Sequence, residues 1–101
     1  MFVTNEEIAA DDSASAEVCV GNELGLHARP AARLAREAQR FACDIALVSG
    51  GQQVDAKSIL DILTLAAAPG SAMTIRATGR DASLAVRTIS ELFNTRFGEE
   101  K

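Results

Sequence analysis

The 101-residue chain has no tryptophan and no tyrosine, and its aromatic side chains are four phenylalanines. A core without large rings must be packed from aliphatic side chains, and the length allows one modest core and not two. No apolar run approaches the length of a membrane span, so insertion into a membrane is not expected, and the acidic N-terminus does not read as a signal peptide. The two cysteines, Cys19 and Cys43, lack metal-like spacing and nothing supports a disulfide between them. Both fall in strand-like segments and are expected as small buried or half-buried fillers in a reducing cytosol. There is one histidine, no nucleotide-binding glycine loop and no convincing triad, which argues against an independent hydrolase or kinase.

Basic residues are missing from the first 17 positions, which hold Glu6, Glu7, Asp11, Asp12 and Glu17. Taking those five from the fourteen acidic residues leaves nine against ten basic ones, so the net charge of −4 belongs to the N-terminus and not to the body of the chain. Residues 1–15 therefore read as a flexible acidic extension, 16–98 as the folded domain and 99–101 as a short tail.

Two periods alternate along the domain. Ala16 to Val20 alternates as a half-buried strand, and a helix is expected from about Ala28 to Arg40. Asp44 to Val48 and Gln52 to Ala56 form a hairpin around Ser49-Gly50-Gly51. Ser58 to Ala67 reads as a second helix stopped by Pro69-Gly70. Met73, Ile75 and Ala77 mark a fourth strand. Asp81 is placed to cap a last helix, in which Ala85, Val86, Ile89, Leu92, Phe93 and Phe97 recur at helical spacing before Gly98. The order βαββαβα, with short strands apolar on one face, predicts an α+β fold: a four-stranded antiparallel sheet with its three helices on one side.

The single histidine stands in Gly25-Leu26-His27-Ala28-Arg29-Pro30-Ala31-Ala32. Pro30 suits the first turn of a helix, because its missing N–H is not needed there and its φ is already helical. His27 is thus expected at the helix N-terminus, where free N–H groups and the dipole favour an anion. Imidazole is a competent nucleophile near neutral pH, and the Arg29 guanidinium two residues on can stabilise negative charge. Together they suit the holding of a phosphoryl group.

This octapeptide resembles the active-site signature of HPr, the histidine phosphocarrier of the bacterial sugar phosphotransferase system. Two further stretches extend the resemblance, Val54-Asp55-Ala56-Lys57-Ser58-Ile59-Leu60 and Ala77-Thr78-Gly79-Arg80-Asp81 with Ala85-Val86, so that it covers about residues 16 to 97 in order. It implies the open-faced sandwich of that family and a cytoplasmic, monomeric phosphocarrier that is not itself an enzyme. By family precedent, phosphorylated enzyme I gives its phosphoryl group to Nδ1 of His27, and His27 passes it to a sugar-specific enzyme IIA. The resemblance implies no metal, no cofactor and no nucleic-acid partner on this chain. The alternative is a regulatory paralogue in a nitrogen-related phosphorelay, or one whose binding to a transcription regulator is controlled by Ser58. The acidic extension departs from relatives that begin almost directly with the first strand.

Two surfaces are candidates for partner binding. Arg29, Arg33, Arg36 and Arg40 lie within about 40° of one line at 100° per residue, opposite Leu34, Ala38 and Phe41, which must face the sheet. Like charges at this spacing cost a few tenths of a kcal/mol each, and an acidic partner explains them better than an idle solvated face. On the second helix Ile62, Leu65 and Ala66 are expected on the buried side, leaving Ile59, Leu60 and Leu63 as an apolar patch for partners. Ser58, followed by Asp61, fits a helix N-cap. The resemblance adds a second role, regulatory phosphorylation of Ser58 by an HPr kinase/phosphorylase, which Asp55 and Asp61 would oppose electrostatically. Asp61 and Glu23 depart from the basic, polar or small residues frequent at these places.

Overall fold

The computed structural model describes residues 13–99. Strand β1 (Ser13–Cys19) is followed by helix α1 (Ala28–Ala38) and by the hairpin of β2 (Asp44–Ser49) and β3 (Gln52–Asp55). Helix α2 (Ile59–Thr64), strand β4 (Ala72–Thr78) and helix α3 (Ala82–Asn94) complete the expected order, before a 3₁₀ turn at Arg96–Gly98. The sheet order is β1-β4-β2-β3 with every neighbouring pair antiparallel. Period-two alternation makes the sheet two-faced. Ile45 and Leu47 on β2 and Met73, Ile75 and Ala77 on β4 point under the helices, whereas Ser15, Glu17, Arg76 and Thr78 face out.

The core is aliphatic, as the shortage of rings requires. Leu34, Leu47, Ile62, Ile75 and Ile89 are its largest fully buried hydrophobic side chains, each contributing about 1.5–3 kcal/mol by burial. Leu34 and Ala38 of α1 are buried and Phe41 is half-buried against the core, as their spacing predicted. Phe93 and Phe97 meet edge to face with ring centroids 4.9 Å apart, a favoured aromatic geometry.

Several boundaries differ from expectation, each for a local reason. Strand β1 starts at Ser13, which pairs with Thr78, so the folded domain begins before residue 16; residues 1–12 of the acidic extension lie outside the described residues. Helix α1 ends at Ala38, and the N–H of Arg40 bonds the carbonyl of Glu37 in a tighter turn. Helix α2 has only six residues. Leu65 and Ala66 bond three residues back, and Ala66 turns the chain out at φ 48°, so Ala66 is exposed rather than buried. Phe97 is buried, but through a left-handed turn at Arg96 (φ 54°) and Phe97 (φ 55°) and not as part of α3.

Asp81 occupies the N-cap position of α3 at φ 62° without a side-chain cap bond. Its carboxylate instead accepts the N–H groups of Ala42 and Cys43, each at 3.2 Å, tying the loop before β2 to the start of α3. Cys43, at that joint and just ahead of β2, is buried; burial, with the Asp81 hydrogen bond and charge adding, pushes its thiol up to about 11. Cys19 is exposed, on the open face of the sheet and not a core filler. Both thiols are free.

Candidate functional site

The segment leading to His27 is held from both sides. Val20 donates to the carbonyl of Ser71 (2.9 Å) and accepts from Gly70 (2.7 Å), while Leu26, itself buried, donates to the carbonyl of Ala67 (3.0 Å). Gly25 makes the intervening turn at φ 74° against that same carbonyl, where no Cβ fits. His27 follows as the N-cap of α1 in extended backbone, and its carbonyl accepts the N–H of Ala31 at 3.0 Å. Its side chain makes no capping bond and is 31% exposed. In the first turn beyond it Ala28 and Arg29 carry N–H groups that have no partner within the helix, and buried Pro30 has none to satisfy.

Two charged groups stand beside the imidazole. The Arg29 guanidinium is 82% exposed, and Glu99 reaches in from the end of the described chain. Glu99 Oε2 lies 3.4 Å from His27 Nε2 and 3.6 Å from Arg29. Its other oxygen accepts from Asn22 Nδ2 at 2.6 Å, and Asn22, wholly buried, also donates to the carbonyl of Arg96 at 2.8 Å. Residue 99, expected in the short C-terminal tail, is therefore part of the candidate site; residues 100 and 101 lie outside the described residues. An open depression of about 450 Å³ beside the ring is lined by Glu23, Leu24, His27, Arg29, Phe97, Gly98 and Glu99.

The arginine stripe is exposed, but much of it has local partners. Arg33 donates to the carbonyl of Phe97 at 3.2 Å, and Arg40, in the turn beyond α1, meets Glu37 at 3.3 Å. Arg36 is exposed in the last turn of α1. On α2, Leu60 is 72% exposed, whereas Ile59 and Leu63 are half-buried and pack on the core. Ser58 caps α2 by accepting the N–H of Asp61 at 3.2 Å, and the Asp61 carboxylate takes the N–H of Asp55 at 3.4 Å. Among the described residues no three His, Cys, Asp or Glu side chains gather as a metal site would need, and no helix is long and apolar enough to cross a membrane.

Sequence reasoning missed Asn22, Leu24 and Glu99. Leu24 is 75% exposed at the rim of the depression, and a lone leucine in a loop sends no signal of its exposure. Glu99 meets His27, and Asn22 meets Glu99, only through tertiary folding. The polar Asn22 directly after Gly21 was the one readable hint.

The family model for the PTS HPr component phosphorylation site matches residues 14–95. Phosphocarrier protein HPr of Xylella fastidiosa is 40% identical over 84 residues, 83% of this chain and 94% of the relative. Phosphocarrier protein NPr of Shewanella violacea is 37% identical over 83 residues, 82% of this chain and 91% of its own. Among solved structures, HPr-C-His from Thermoanaerobacter tengcongensis superposes with a TM-score of 0.84 at 33% identity, covering 87% of this chain and 99% of that one. HPr from Bacillus anthracis gives 0.77 at 40% identity, covering 80% and 96%.

Proposed function

Because this chain belongs to the HPr family of phosphocarriers of the phosphotransferase system, we propose that His27 is its phosphoryl-carrying residue. It accepts the group from phosphorylated enzyme I and passes it to a sugar-specific enzyme IIA, as a monomeric cytoplasmic carrier and not a catalyst. The observation that carries this reading is the half-exposed imidazole at the N-cap of α1, beside an open guanidinium two residues on. The phosphate would meet the N–H groups of the first turn and Arg29, which are fixed donors aimed at an anion. With Nε2 against Glu99, Nδ1 is the nitrogen left for phosphorus. A nitrogen–phosphorus bond is labile enough to pass its cargo on, which a carrier requires. No step asks for a cofactor held by this chain.

The docking role of Arg33, Arg36 and Arg40 and of Ile59, Leu60 and Leu63 belongs to the same reading. Leu60 supplies the open apolar element, and the arginines supply charge for an acidic partner. Ser58 adds a regulatory site for an HPr kinase/phosphorylase, supported by its place at a helix N-terminus, where phosphate is favourable. A relay to a nitrogen-related acceptor is the second reading, favoured by the acidic Glu23 and Asp61, which suit a less acidic partner.

Incubation with phosphoenolpyruvate, magnesium and the cognate enzyme I tests the carrier. The chain gains one phosphoryl group, lost in acid and stable in alkali, as a phosphoramidate is and a serine ester is not. His27→Ala removes it entirely, since the chain has no other histidine. Arg29→Ala slows acceptance without abolishing it. An acid-stable adduct, or one undiminished in His27→Ala, overturns the reading. Discharge to a sugar-specific against a nitrogen-related enzyme IIA separates the two acceptors.

A further inference from the structure

We propose that Glu99 holds the proton on His27 Nε2 throughout phosphoryl transfer, as a positioning residue that keeps the imidazole both a good acceptor and a good leaving group. The inference rests on the reading of His27 as the carrier. In acceptance, the Nδ1 lone pair attacks phosphorus while the donor's bond to phosphorus breaks, and nothing is oxidised or reduced. Nε2 keeps its hydrogen and the ring becomes a phosphoimidazolium. In discharge a lone pair of the acceptor's nucleophile bonds phosphorus while the Nδ1–P bond breaks and its electron pair returns to Nδ1. The departing group is neutral imidazole only if Nε2 is still protonated; otherwise it is imidazolate, a far poorer leaving group. A carboxylate set against Nε2 stabilises the form that transfers in both directions.

Glu99 has that placement, and the fold holds it there. Oε2 is 3.4 Å from Nε2, and the side chain is only 15% exposed. Oε1 is pinned by Asn22 at 2.6 Å, and Asn22 is itself wholly buried. The chain reaches this place through the left-handed turn at Arg96 and Phe97, anchored by buried Phe97 and by Arg33 on its carbonyl. The charged groups facing the ring are Glu99 from the C-terminal turn, Arg29 from α1 and Glu23 from the loop ahead of it. Arg29 shares Oε2 at 3.6 Å in the uncharged protein. An arriving phosphoryl group competes for that guanidinium and leaves Oε2 to the Nε2 proton. A Glu99 that merely neutralised Arg29 would have no use for the buried Asn22 anchor or for the closer approach to the ring.

The test compares wild type, Glu99→Gln and Glu99→Asp, each charged by phosphoenolpyruvate, magnesium and enzyme I and then discharged to enzyme IIA between about pH 6 and 9. Glutamine keeps the size of the side chain and can still accept from Asn22, but it loses the charge. At the alkaline end Glu99→Gln should discharge about tenfold more slowly than wild type, its profile moved to lower pH by about one unit, with the acid-end rate unchanged. Glu99→Asp should recover part of the difference. A purely structural Glu99 would lower the melting temperature and leave the profile in place. Profiles of wild type and Glu99→Gln that superimpose, or faster acceptance by Glu99→Gln, would overturn this proposal while the carrier reading stands. A wild-type chain that gains no phosphoryl group would overturn the carrier reading itself, and this inference with it.

Discussion

Gly25 sits against the carbonyl oxygen of Ala67 so closely that a Cβ would fall inside that atom's contact distance, and it does so at φ 74°. The next residue, Leu26, donates its N–H to the same oxygen. One carbonyl beyond the end of α2 thus sets the approach of the chain to His27.

Gly25→Ala should therefore cost stability and misplace the histidine together. The left-handed backbone alone costs an alanine about 1–2 kcal/mol, and the clash adds to it. A total of about 2 kcal/mol or more lowers the melting temperature by at least roughly 8 °C in a domain of this size. Thermal unfolding, with the rate of phosphoryl acceptance measured below the transition, checks both effects.

Ser58→Ala removes the cap on Asp61 and should cost about 1 kcal/mol in chemical denaturation. With a cognate HPr-type kinase and ATP, wild type should gain one phosphate on this residue and Ser58→Ala none. A wild-type chain left unmodified would reduce Ser58 to its capping role.

Replacing Arg33, Arg36 and Arg40 together by glutamine should slow transfer from enzyme I by weakening association. The wild-type rate should fall steeply with added salt and the variant's much less. Because Arg33 also holds the carbonyl of Phe97, Arg36→Gln serves as the comparison that disturbs no contact of the C-terminal turn. A triple variant with unchanged rate and unchanged salt dependence would make the stripe an ordinary solvated face.

Asp81 yields a prediction in pH. Lost hydration pushes its carboxyl up, but the N–H of Ala42, the thiol and N–H of Cys43, and nearby Lys57 together hold it below the ordinary 3.8. A carboxyl depressed by folding stabilises the native state above its unfolded value, and that contribution is lost as pH falls through the lower folded value. The urea-midpoint gap between wild type and Asp81→Asn should therefore be constant near neutral pH and close below 3.8. Asparagine tolerates the left-handed backbone at this position, so the variant removes the charge and one of the two acceptors of the Ala42 and Cys43 N–H groups without straining the chain, much as protonation does.

The elements legible in the sequence were those whose signal is local. Alternation at Met73, Ile75 and Ala77 marked β4, helical spacing marked α3, and Pro30 after His27 marked the start of α1. What escaped was decided across the fold. Asp81 looked like a helix cap because its own neighbours are all that sequence shows, while its hydrogen-bond partners, Ala42 and Cys43, lie far back in the chain. Ala66 fitted the buried stripe of a helix that stops two residues before it. His27 and Arg29 stand out as candidates in their own octapeptide, but Glu99 is brought to them by a pair of left-handed residues that no propensity favours.

The strand order also governs how this chain can be made. Among the described residues the first strand pairs with no other strand but β4, Ser13 opposite Thr78 and Cys19 opposite Ala72. During synthesis β1 leaves the ribosome long before its partner exists, and the β2–β3 hairpin and the first two helices emerge in between. Local pieces can form early, but the sheet closes only after residue 78 has cleared the exit tunnel and α3 can cover it. A chain stalled before residue 71 has emerged holds its histidine segment without Ser71, the residue whose carbonyl secures Val20. Folding of this chain should thus come late and nearly all at once, when its last third is free to pair and pack.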